Sequence, residues 1–471
     1  MQPKTLVDKI WARHAVSVLE DSDTLLYVDR CLLHEGFWWN IIDALKARNL
    51  VIRRPGNIIA CADHFVPTTD RSSGHAGIAD ARRRELILRL ENEGRDLGVQ
   101  VIGMMDPRQG ILHVVAPETG ITQPGMVIVG SDSHTSTHGA LGAIAFGIGT
   151  TEAMHVLATQ TLWQALPRTM RITVDGRLSS NVTAKDLILT IIARLGISGG
   201  AGRFVEYAGP AIAALSIEER LTVCNMSIEM GARAGLVAPD ETTFSYLAGR
   251  PNAPSGANWE RALAYWKTLR SDEGVRFDQE VSIDGSSVGP MATWGTSLDQ
   301  TIAIDQPIPD PAIEPDTSRR HAHERALSYM GLRPGDRLYD IPIDYVFIGS
   351  CTNGRLDDLR EAAEVARGRH AVVPAFVSPG SRSVKRAAEA EGLDRVFVDA
   401  GFEWRDSGCS MCAGANGDSL QPGQRCAATS NRNFPGRQGP GSRTHIMSPA
   451  SAAASAIAGH IASAHRLKIT A

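Results

Sequence analysis

The sequence predicts an α/β fold with mainly parallel sheets, and three observations lead to this prediction. Short apolar runs of strand length alternate with segments whose apolar residues recur at helical spacing. Glycine, cysteine, histidine and aspartate residues gather where the predicted strands end, which is the edge at which parallel sheets bind ligands. The length of 471 residues corresponds to about three domains of roughly 150 residues, enough to bury sizeable cores.

The elements of the N-terminal part follow from these patterns. A segment with apolar residues at helical spacing and a charged opposite face predicts a helix over Ala81–Asn92. The apolar runs predict three buried strands, at Asn57–Ala62, Gly98–Ile102 and Gly125–Val129.

The C-terminal part shows the same alternation. Its predicted strands are Tyr345–Ile348, Ala371–Val377 and Arg395–Val398, and a helix is predicted from about Leu356 to Arg367. A second helix is predicted over the alanine-rich stretch that runs to about His465. Ser448 suits its N-cap and Pro449 suits its first helical position.

A proline-rich stretch predicts the main boundary between domains. Ile304–Asp316 contains four prolines, and each proline lacks an N–H donor and biases the preceding residue to an extended shape. Residues 301–335 are therefore predicted to link an N-terminal unit, residues 1–300, to a C-terminal unit, residues 336–471. A weaker change of composition, a loop followed by a short helix, covers Arg250–Ser271.

The composition excludes several classes of protein. Hydrophobic residues make up 43% and charged residues 21%, close to the average of a globular enzyme. The net charge of −4 argues against a nucleic-acid binder, which usually carries a basic patch. No apolar run approaches the roughly 20 residues that a membrane-spanning helix needs. The seven cysteines are few and odd in number, and the N-terminus has no apolar stretch of signal-peptide length, so we expect a reducing, cytoplasmic location.

Three cysteines stand in patterns that suit a metal centre. Cys351 lies in the turn Gly349–Arg355 after a predicted strand, and Cys409 and Cys412 form a C-x2-C pair. Such a pair is also found in redox sites and as half of a structural zinc site, so these alternatives stay open. An electron-transfer cluster normally has all its irons held by protein, whereas three cysteines leave one iron open to act as a Lewis acid. The remaining cysteines, which we interpret as small buried apolar residues, are Cys31, Cys61, Cys224 and Cys426.

Histidine and aspartate residues form a second set of candidates at predicted strand ends. Asp63 and His64 follow one strand, and Asp132 and His134 follow another in a turn rich in glycine and hydroxyl groups. His113 stands in a third such segment. A histidine beside an aspartate is held in one tautomer and can transfer protons near neutral pH. A single histidine of this kind is more often part of a core, and it is the recurrence that favours catalysis.

Two further segments carry polar groups suited to binding. Asn225 and Glu229 are four residues apart and are predicted to share a helix face. Arg432 and Arg437 stand in a turn-rich segment, and arginine pairs suit bidentate binding of carboxylates. The glycine-rich run Gly139–Gly149 lacks the spacing of a phosphate-binding loop, so we predict no nucleotide site.

The chain resembles the aconitase superfamily in motifs that occur in the same order. They are DHFVPTTDR, GSDSHTSTHGALGAIAFGIGTTEA, CNMSIEMGARAGLVAPD, TWGTS, IGSCTNGR, AGFEWRDSGCSMC and TSNRNFPGRQG. The resemblance runs from Lys4 to the C-terminal helix, and the chain is most similar to the large subunits of the 3-isopropylmalate dehydratase branch. It implies three related three-layer α/β/α domains around a central iron–sulfur cluster: domains 1 and 2 in residues 1–300 and domain 3, with the cysteines, in residues 336–471. It also implies that the N-terminus is no targeting segment.

The roles that this resemblance implies fall on matching positions. Cys351, Cys409 and Cys412 would hold one [4Fe-4S] cluster, whose fourth iron has no cysteine ligand and binds the substrate. Asp63 and His64 would form the pair that protonates the leaving hydroxyl. The other implied site residues line the iron and its water (His113, Asp132, His134 and Glu229), hydrogen-bond near the cluster (Asn225 and Asn431) or contact substrate carboxylates (Ser133, Arg432 and Arg437).

The implied reaction removes water from a malate-type hydroxy diacid and adds it back with the opposite regiochemistry. For the leucine-pathway substrate, 2-isopropylmalate and 3-isopropylmalate interconvert through 2-isopropylmaleate. Full-length aconitases also carry a C-terminal swivelling domain with a serine base, for which this chain has no room. The resemblance therefore implies a separate small subunit in a hetero-oligomer, no nucleic-acid or membrane partner, and an isolated chain without turnover.

Several departures from the family pattern leave the substituent on the malate open. His34–Asn40 reads HEGFWWN where a polar segment is expected, and Phe65 replaces the asparagine of the usual DHN. Ala413–Asp418 replaces a bulkier run, and Arg382 stands where glycine is more usual. Methylmalate, homocitrate or homoaconitate, and phosphonomethylmalate types stay as alternative substrates. The remote alternatives are an iron-responsive RNA-binding protein, which the acidic balance disfavours, and a structural zinc protein.

Overall fold

The computed structural model describes residues 2–19, 23–465 and 467. The chain divides into two compact units that exchange segments along the sequence. Unit 1 comprises Met1–Val66, Ser72–Arg177 and Gly200–Asp284. Unit 2 comprises Pro67–Arg71, Leu178–Gly199 and Gly285–Ala471.

The described residues form strands and helices in alternation. The strands are β1 Ala15–Val18, β2 Asp23–Tyr27, β3 Arg30–His34, β4 Ile58–Cys61, β5 Gln100–Ile102, β6 Val127–Gly130, β7 Ile144–Gly147, β8 Thr161–Ala165, β9 Arg168–Asp175, β10 Arg203–Ala208, β11 Ala234–Val237, β12 Gln279–Asp284, β13 Met291–Thr293, β14 Thr301–Ala303, β15 Tyr345–Ile348, β16 Ala375–Val377, β17 Glu403–Trp404, β18 Arg425–Ala428 and β19 Arg443–Ile446. The helices are α1 Leu6–His14, α2 Glu35–Lys46, α3 Ala81–Asp96, α4 Leu112–Glu118, α5 Thr150–Thr159, α6 Ala184–Leu195, α7 Pro210–Ala214, α8 Ile217–Met226, α9 Glu241–Leu247, α10 Ala257–Trp266, α11 Thr317–Met330, α12 Ser350–Asn353, α13 Leu356–Ala366, α14 Arg382–Ala390, α15 Leu393–Asp399 and α16 Pro449–Ala458.

Unit 1 is built on two parallel sheets. The first has the strand order β5-β4-β3-β6-β7 and the second has the order β11-β10-β9-β12, with every pairing parallel. The strands of the first sheet are apolar along their length because helices cover both faces of a parallel sheet. Leu32, Ile59 and Ile128 pack with Val115 of α4 in its core. A small antiparallel sheet, β1-β2-β8, completes this unit.

Unit 2 has one five-stranded parallel sheet and one hairpin. The sheet has the order β17-β16-β15-β18-β19, and β13 pairs with β14 in antiparallel fashion. Helix α16 begins as predicted, with the Ser448 side chain accepting from the backbone N–H of Ser451 and Pro449 at the first turn. It ends at Ala458, because Gly459 adopts the left-handed conformation that terminates helices, rather than near His465. The α/β class and the parallel sheets are confirmed.

The strand predicted over Arg395–Val398 is wrong. These residues lie in helix α15, which begins after Gly392 in the left-handed conformation. Phe397 is fully buried while 56% of Val398 is exposed, a one-sided burial that suits a helix. A run of four residues is too short for its apolar spacing to distinguish the two structures.

Residues 301–335 hold more regular structure than a proline-rich linker predicts. β14 takes the first three residues, and α11 begins directly after the last proline of the stretch. Asp316 caps that helix, because its carboxylate accepts from the backbone N–H of Arg319. Within the described part of the chain, no helix is both long and apolar enough to cross a membrane.

Candidate active site

The carboxyl edge of the first sheet in unit 1 gathers the predicted histidines and carboxylates. β3 ends at His34, β4 ends just before Asp63 and β6 ends just before Asp132. His113 comes from α4, which follows β5. Since all these strands run in parallel, their ends meet at one edge, which is where α/β folds place ligands.

Asp63 and His64 form a hydrogen-bonded pair. His64 Nδ1 lies 2.5 Å from Asp63 Oδ1, and Asp63 Oδ2 accepts from the backbone N–H of Leu112 at 2.9 Å. Burial alone would raise the pKa of Asp63, but the charge and hydrogen bond of His64 outweigh it and lower the pKa. The side chain of His64 is 18% exposed and that of Asp63 only 1%. The pair can thus present a proton at His64 Nε2 while the aspartate stays closed to solvent.

Asp132 connects three of the remaining predicted residues. Its Oδ1 accepts from the backbone N–H of His134 at 2.7 Å and lies 3.2 Å from His113 Nε2. His134 Nε2 lies 3.0 Å from Glu229 Oε1. Burial would raise the pKa of Asp132, yet the hydrogen bonds of both histidines hold it well below its usual range. His64 Nε2 lies 3.9 Å from Asp132 Oδ2, so the pair and this network adjoin.

A third histidine, His138, extends the network and was missed by the sequence analysis. His138 Nε2 lies 3.1 Å from His113 Nδ1, and His138 Nδ1 lies 2.7 Å from the Thr122 hydroxyl. His138 is fully buried in the 3₁₀ turn Ser133–Leu141. Its place four residues after His134 in the same turn was the available signal.

Asn225 and Glu229 do not share an α-helix as predicted. Helix α8 ends at Met226, and Glu229 lies in the following 3₁₀ turn. The buried Asn225 amide donates to the hydroxyl of Thr137, 2.8 Å away. Both side chains therefore contact the turn that begins at Ser133, from two different elements.

His34 and Glu35, at the start of α2, also lie at this edge of the sheet. The fully buried Glu35 carboxylate accepts from the backbone N–H groups of Asp63, His64 and Phe65. The rings of His34 and His64 stack with centroids 4.0 Å apart. Ligand atoms of His34, Glu35, Asp63 and His64 lie within 4.8 Å of one another, the one such group among the described residues. Backbone N–H groups already occupy both Glu35 oxygens, so we interpret the group as a hydrogen-bond network and not as a metal site.

In unit 2, the three predicted cysteines lie in two loops that follow strands. Cys351 lies in the short helix α12 after β15. A 3₁₀ turn follows β17; Cys409 comes directly before it and Cys412 is its last residue. All three are about 5% exposed. The neighbouring serines, Ser350 and Ser410, have φ angles of 82° and 49°, in the left-handed region that side chains other than asparagine or glycine rarely adopt. Strain of this kind persists where the surroundings fix a functional loop.

One asparagine contacts both cysteine loops. The Asn431 amide Nδ2 lies 3.5 Å from Cys351 Sγ, and its Oδ1 lies 3.4 Å from Cys412 Sγ. The same amide donates to the Thr352 hydroxyl at 3.0 Å. Asn431 is 1% exposed and follows β18, the neighbour of β15. The asparagine predicted to lie near a metal centre therefore touches two of its three sulfurs.

The spacing of the sulfurs distinguishes between two kinds of metal group. In a tetrahedral zinc site with Zn–S bonds of about 2.3 Å, the sulfurs lie within about 4 Å of one another. The cysteines are all described, and they do not form a group with ligand atoms within 4.8 Å of one another. Three buried thiols with a wider spacing fit a larger inorganic group such as an iron–sulfur cluster.

Lys185 is a buried cation beside these loops and was missed by the sequence analysis. Its Nζ donates to Asn353 Oδ1 at 2.9 Å and to the carbonyl oxygens of Thr429 and Ser430 at 2.9 and 2.8 Å. Burial lowers the pKa of Lys185 to about 7, although the charges of neighbouring acids and of Cys412 favour the ammonium. A lysine inside a mainly apolar helix such as α6 was the available signal.

The arginines of the last predicted segment follow Asn431. The guanidinium of Arg437 lies 5.5 Å from the ring centroid of Phe434, and its buried Nε has no hydrogen-bond partner among the described residues. Asn433 fixes the segment by donating to the carbonyl of Gly295 at 2.8 Å. Arg432 is partly buried between these anchors. An unsatisfied guanidinium N–H suits an anionic ligand.

The four other cysteines are buried and unpaired, in accord with their interpretation as small apolar residues. Burial raises the pKa of the Cys31 thiol to about 12 and raises those of Cys61, Cys224 and Cys426 as well. Their thiols stay protonated, which is the form that does not bind metal.

Comparison with known proteins identifies the family of the chain. Residues 8–459 match the model of the aconitase family, described as aconitate hydratase. Among solved structures, the chain is similar to the holo form of aconitase X from Thermococcus kodakaraensis, at 12% sequence identity and a TM-score of 0.47. That similarity covers 91% of this chain and 89% of the other.

Proposed function

The chain belongs to the aconitase family of hydro-lyases, and we propose that it is the iron–sulfur subunit of an enzyme that isomerises a 2-substituted malate. The substrate we propose first is isopropylmalate, and the product of its dehydration is 2-isopropylmaleate. The observation that carries the proposal is the contact of Asn431 with the sulfurs of Cys351 and Cys412, because it joins two cysteines that are 61 positions apart in the sequence.

The cysteine set determines what kind of chemistry the reaction can use. Cys351, Cys409 and Cys412 would hold a [4Fe-4S] cluster, and when bound it supplies a Lewis-acidic iron for a hydroxyl and a carboxylate. Lys185 lies beside loops that would carry three thiolates, and the charges of Cys412 and Cys351 favour its ammonium form. Loss of a hydroxide from an alkyl carbon is slow without such an acid and a proton donor, so the second requirement falls on unit 1.

The Asp63–His64 pair is the proton donor that we propose for the leaving hydroxyl. Asp63 accepts from His64 Nδ1, which fixes the tautomer and stabilises the imidazolium. His64 Nε2 then gives its proton to the departing oxygen, so that water leaves, and the carbon next to it loses a proton to a base. On rehydration the same atoms act in reverse, and water enters at the other carbon.

The remaining residues hold the reactants. Asp132 orients His113 and His134, and Glu229 accepts from His134, so this network can fix a water molecule. Ser133, Arg432 and Arg437 are proposed to bind the two carboxylates of the diacid. Asn225 holds the turn that begins at Ser133 by way of Thr137.

We further propose that the base which removes the carbon-bound proton comes from a separate small subunit. The proposal of a small subunit is supported by the resemblance to enzymes of two subunits. It predicts that turnover needs both chains, in a hetero-oligomer.

A different substituted malate is the second candidate, and an aromatic segment favours it. Phe37 is 42% exposed and packs edge-on against His34, whose ring stacks on His64. An exposed aromatic side chain next to the proton donor can select the substituent that the substrate carries. Methylmalate, homocitrate or homoaconitate, and phosphonomethylmalate types are the alternatives.

The experiment that tests the proposal is an assay with a chosen substrate set. The chain is co-expressed with its candidate small subunit, reconstituted with iron and sulfide without oxygen, and mixed with 2-isopropylmaleate. Loss of the ultraviolet absorbance of the alkene supports the first substrate. Loss only with another substituted maleate supports the second candidate, and no loss with any of them contradicts the hydro-lyase proposal.

A further inference from the structure

A carboxylate with no solvent access lies directly beside the pair that we propose as proton donor. Glu35 is the first residue of α2 and is 0% exposed. Its Oε1 accepts from the backbone N–H groups of His64 at 2.8 Å and Phe65 at 2.6 Å, and its Oε2 accepts from that of Asp63 at 3.0 Å. Three successive N–H groups of one turn therefore converge on one carboxylate.

This arrangement determines the shape of the turn. The three N–H groups come after β4, where no ladder partner remains for them, and a buried N–H without an acceptor destabilises the fold. A carboxylate has enough lone pairs for all three and is an acceptor only, which no neutral side chain of this size matches. The turn that orients the His64 side chain is thus fixed by a residue 29 positions earlier in the sequence.

The preceding residue acts on the ring of the same histidine. The imidazoles of His34 and His64 are stacked, with an interplanar angle of 22°. His34 is also the N-cap of α2, since its Nδ1 accepts from the backbone N–H of Gly36 at 3.3 Å. Its Nε2 is closed to solvent and has no partner within the described chain, so the contact that the ring makes with the proton donor is its stacking on His64.

We propose that Glu35 and His34 are positioning residues for the proton donor, Glu35 through the backbone of the turn and His34 through the plane of the ring. The inference rests on the proposed function of the Asp63–His64 pair. Glu35 contacts the backbone of the turn and His34 contacts the ring of His64, so their effect is expected on the rate of proton transfer and not on binding. A displacement of a reacting group by about 1 Å costs about 100-fold in rate.

The experiment compares Glu35→Gln with a matched control in the full chain, reconstituted and joined to its small subunit. The control is Glu91→Gln, because Glu91 is also a buried carboxylate of unit 1 that accepts a backbone N–H after a strand, that of Met104 at 2.8 Å. Glu35→Gln is expected to lower kcat by about 10- to 100-fold with KM changed by less than about threefold. Glu91→Gln is expected to lower the melting temperature similarly and to keep kcat.

A second readout does not depend on turnover. In the full chain with ¹⁵N-labelled histidine, the His64 resonances are identified by their loss in His64→Asn. For the neutral ring, the wild type is expected to show a single tautomer with the proton on Nδ1, and Glu35→Gln a mixture of two. If Glu35→Gln does not fold, Glu35→Asp takes its place, because it keeps the charge and shortens the reach.

The outcomes separate the two proposals. A folded Glu35 variant with unchanged kcat, or an unchanged single His64 tautomer, overturns the positioning role. A mixed tautomer already in the wild type overturns it too. If the wild type turns over no substituted maleate while the tautomer depends on Glu35, the proposed function fails and the positioning role stands.

Discussion

The candidate residues of unit 1 and those of unit 2 differ in whether the chain itself supplies the groups with which they would act. In unit 1, the Asp63–His64 pair and the Asp132 network satisfy one another through hydrogen bonds between protein atoms. In unit 2, three cysteines lie in strained loops beside one asparagine and the buried Lys185. Under the proposed function, this chain's own groups would protonate the leaving hydroxyl, whereas the cysteine loops would provide ligands for a group brought from outside. Substitutions in the cysteine loops should therefore affect the binding of iron and sulfide, whereas substitutions in the unit 1 network should affect turnover alone.

The largest expected effect comes from the cysteine loops. Cys409→Ser is predicted to abolish binding of iron and sulfide and to lower turnover by at least about 1000-fold, because a three-cysteine cluster loses a ligand. Metal analysis and the visible spectrum of the reconstituted protein measure the first effect. Cys426→Ala is the matched control, since Cys426 is buried in β18 of the same unit with its thiol kept protonated. A Cys409→Ser variant that still binds the full amount of iron and sulfide would contradict this prediction.

The second effect is on unit 1 alone. His64→Asn is predicted to lower kcat by about 100- to 10,000-fold, the range expected for loss of a general acid, while iron and sulfide content stay at the wild-type level. Steady-state kinetics and metal analysis on the same preparation check it. Loss of the cluster together with the activity would show that the proton donor of unit 1 and the cysteines of unit 2 do not act separately.

The third prediction concerns the buried Lys185. Lys185→Met leaves the carbonyls of Thr429 and Ser430 without their donor, and we expect the free energy of unfolding at pH 9 to fall by about 3 kcal/mol. The pKa of Lys185 is lowered to about 7, so between pH 7 and its unfolded value the unfolded chain binds the extra proton. The wild type should gain up to about 1.4 kcal/mol per pH unit from this group as the pH rises, and the variant should lack that gain.

Urea unfolding at several pH values tests this third prediction. Lys385→Met is the control, because Lys385 is a lysine of unit 2 that pairs with Glu389 near the surface. An equal pH dependence in wild type and Lys185→Met would show that burial does not lower the pKa of Lys185.

The smallest effect concerns acid. Burial lowers the pKa of His34 in unit 1 and of His445 in unit 2 to about 3, so both stay neutral. His445 Nε2 accepts from Arg425, and its Nδ1 donates to the carbonyl of Thr293. Between pH 6.5 and 3 the unfolded chain binds more protons at these residues, so stability should fall as the pH drops through that window.

A variant separates the contribution of unit 2 to this acid effect. His445→Asn should lose about 2 kcal/mol less than the wild type between pH 6.5 and 5, measured by urea unfolding. An equal loss in both proteins would contradict the neutral, buried His445. His155→Asn serves as control, because His155 lies in α5 of unit 1 and is partly exposed.

The sequence predicted the parallel sheets and the residues at their ends, because both depend on local patterns. Strand ends after apolar runs located Asp63, Asp132 and Cys351 without any knowledge of pairing. The contacts that complete the site are non-local. Glu35 acts on a turn 29 residues away and Lys185 on carbonyls more than 240 residues away, and neither distance leaves a local pattern. The error at Arg395–Val398 had the opposite cause, a run too short to show its period.

The central claim is that this chain holds a cluster with one iron that no cysteine binds, and electron paramagnetic resonance tests it most directly. The full chain is reconstituted with iron and sulfide without oxygen and then mildly oxidised. A [3Fe-4S] signal that ferrous iron removes again is expected, because the iron without a cysteine ligand leaves first. A chain that takes up zinc in place of iron and sulfide, or that keeps every iron under the same oxidation, would contradict it.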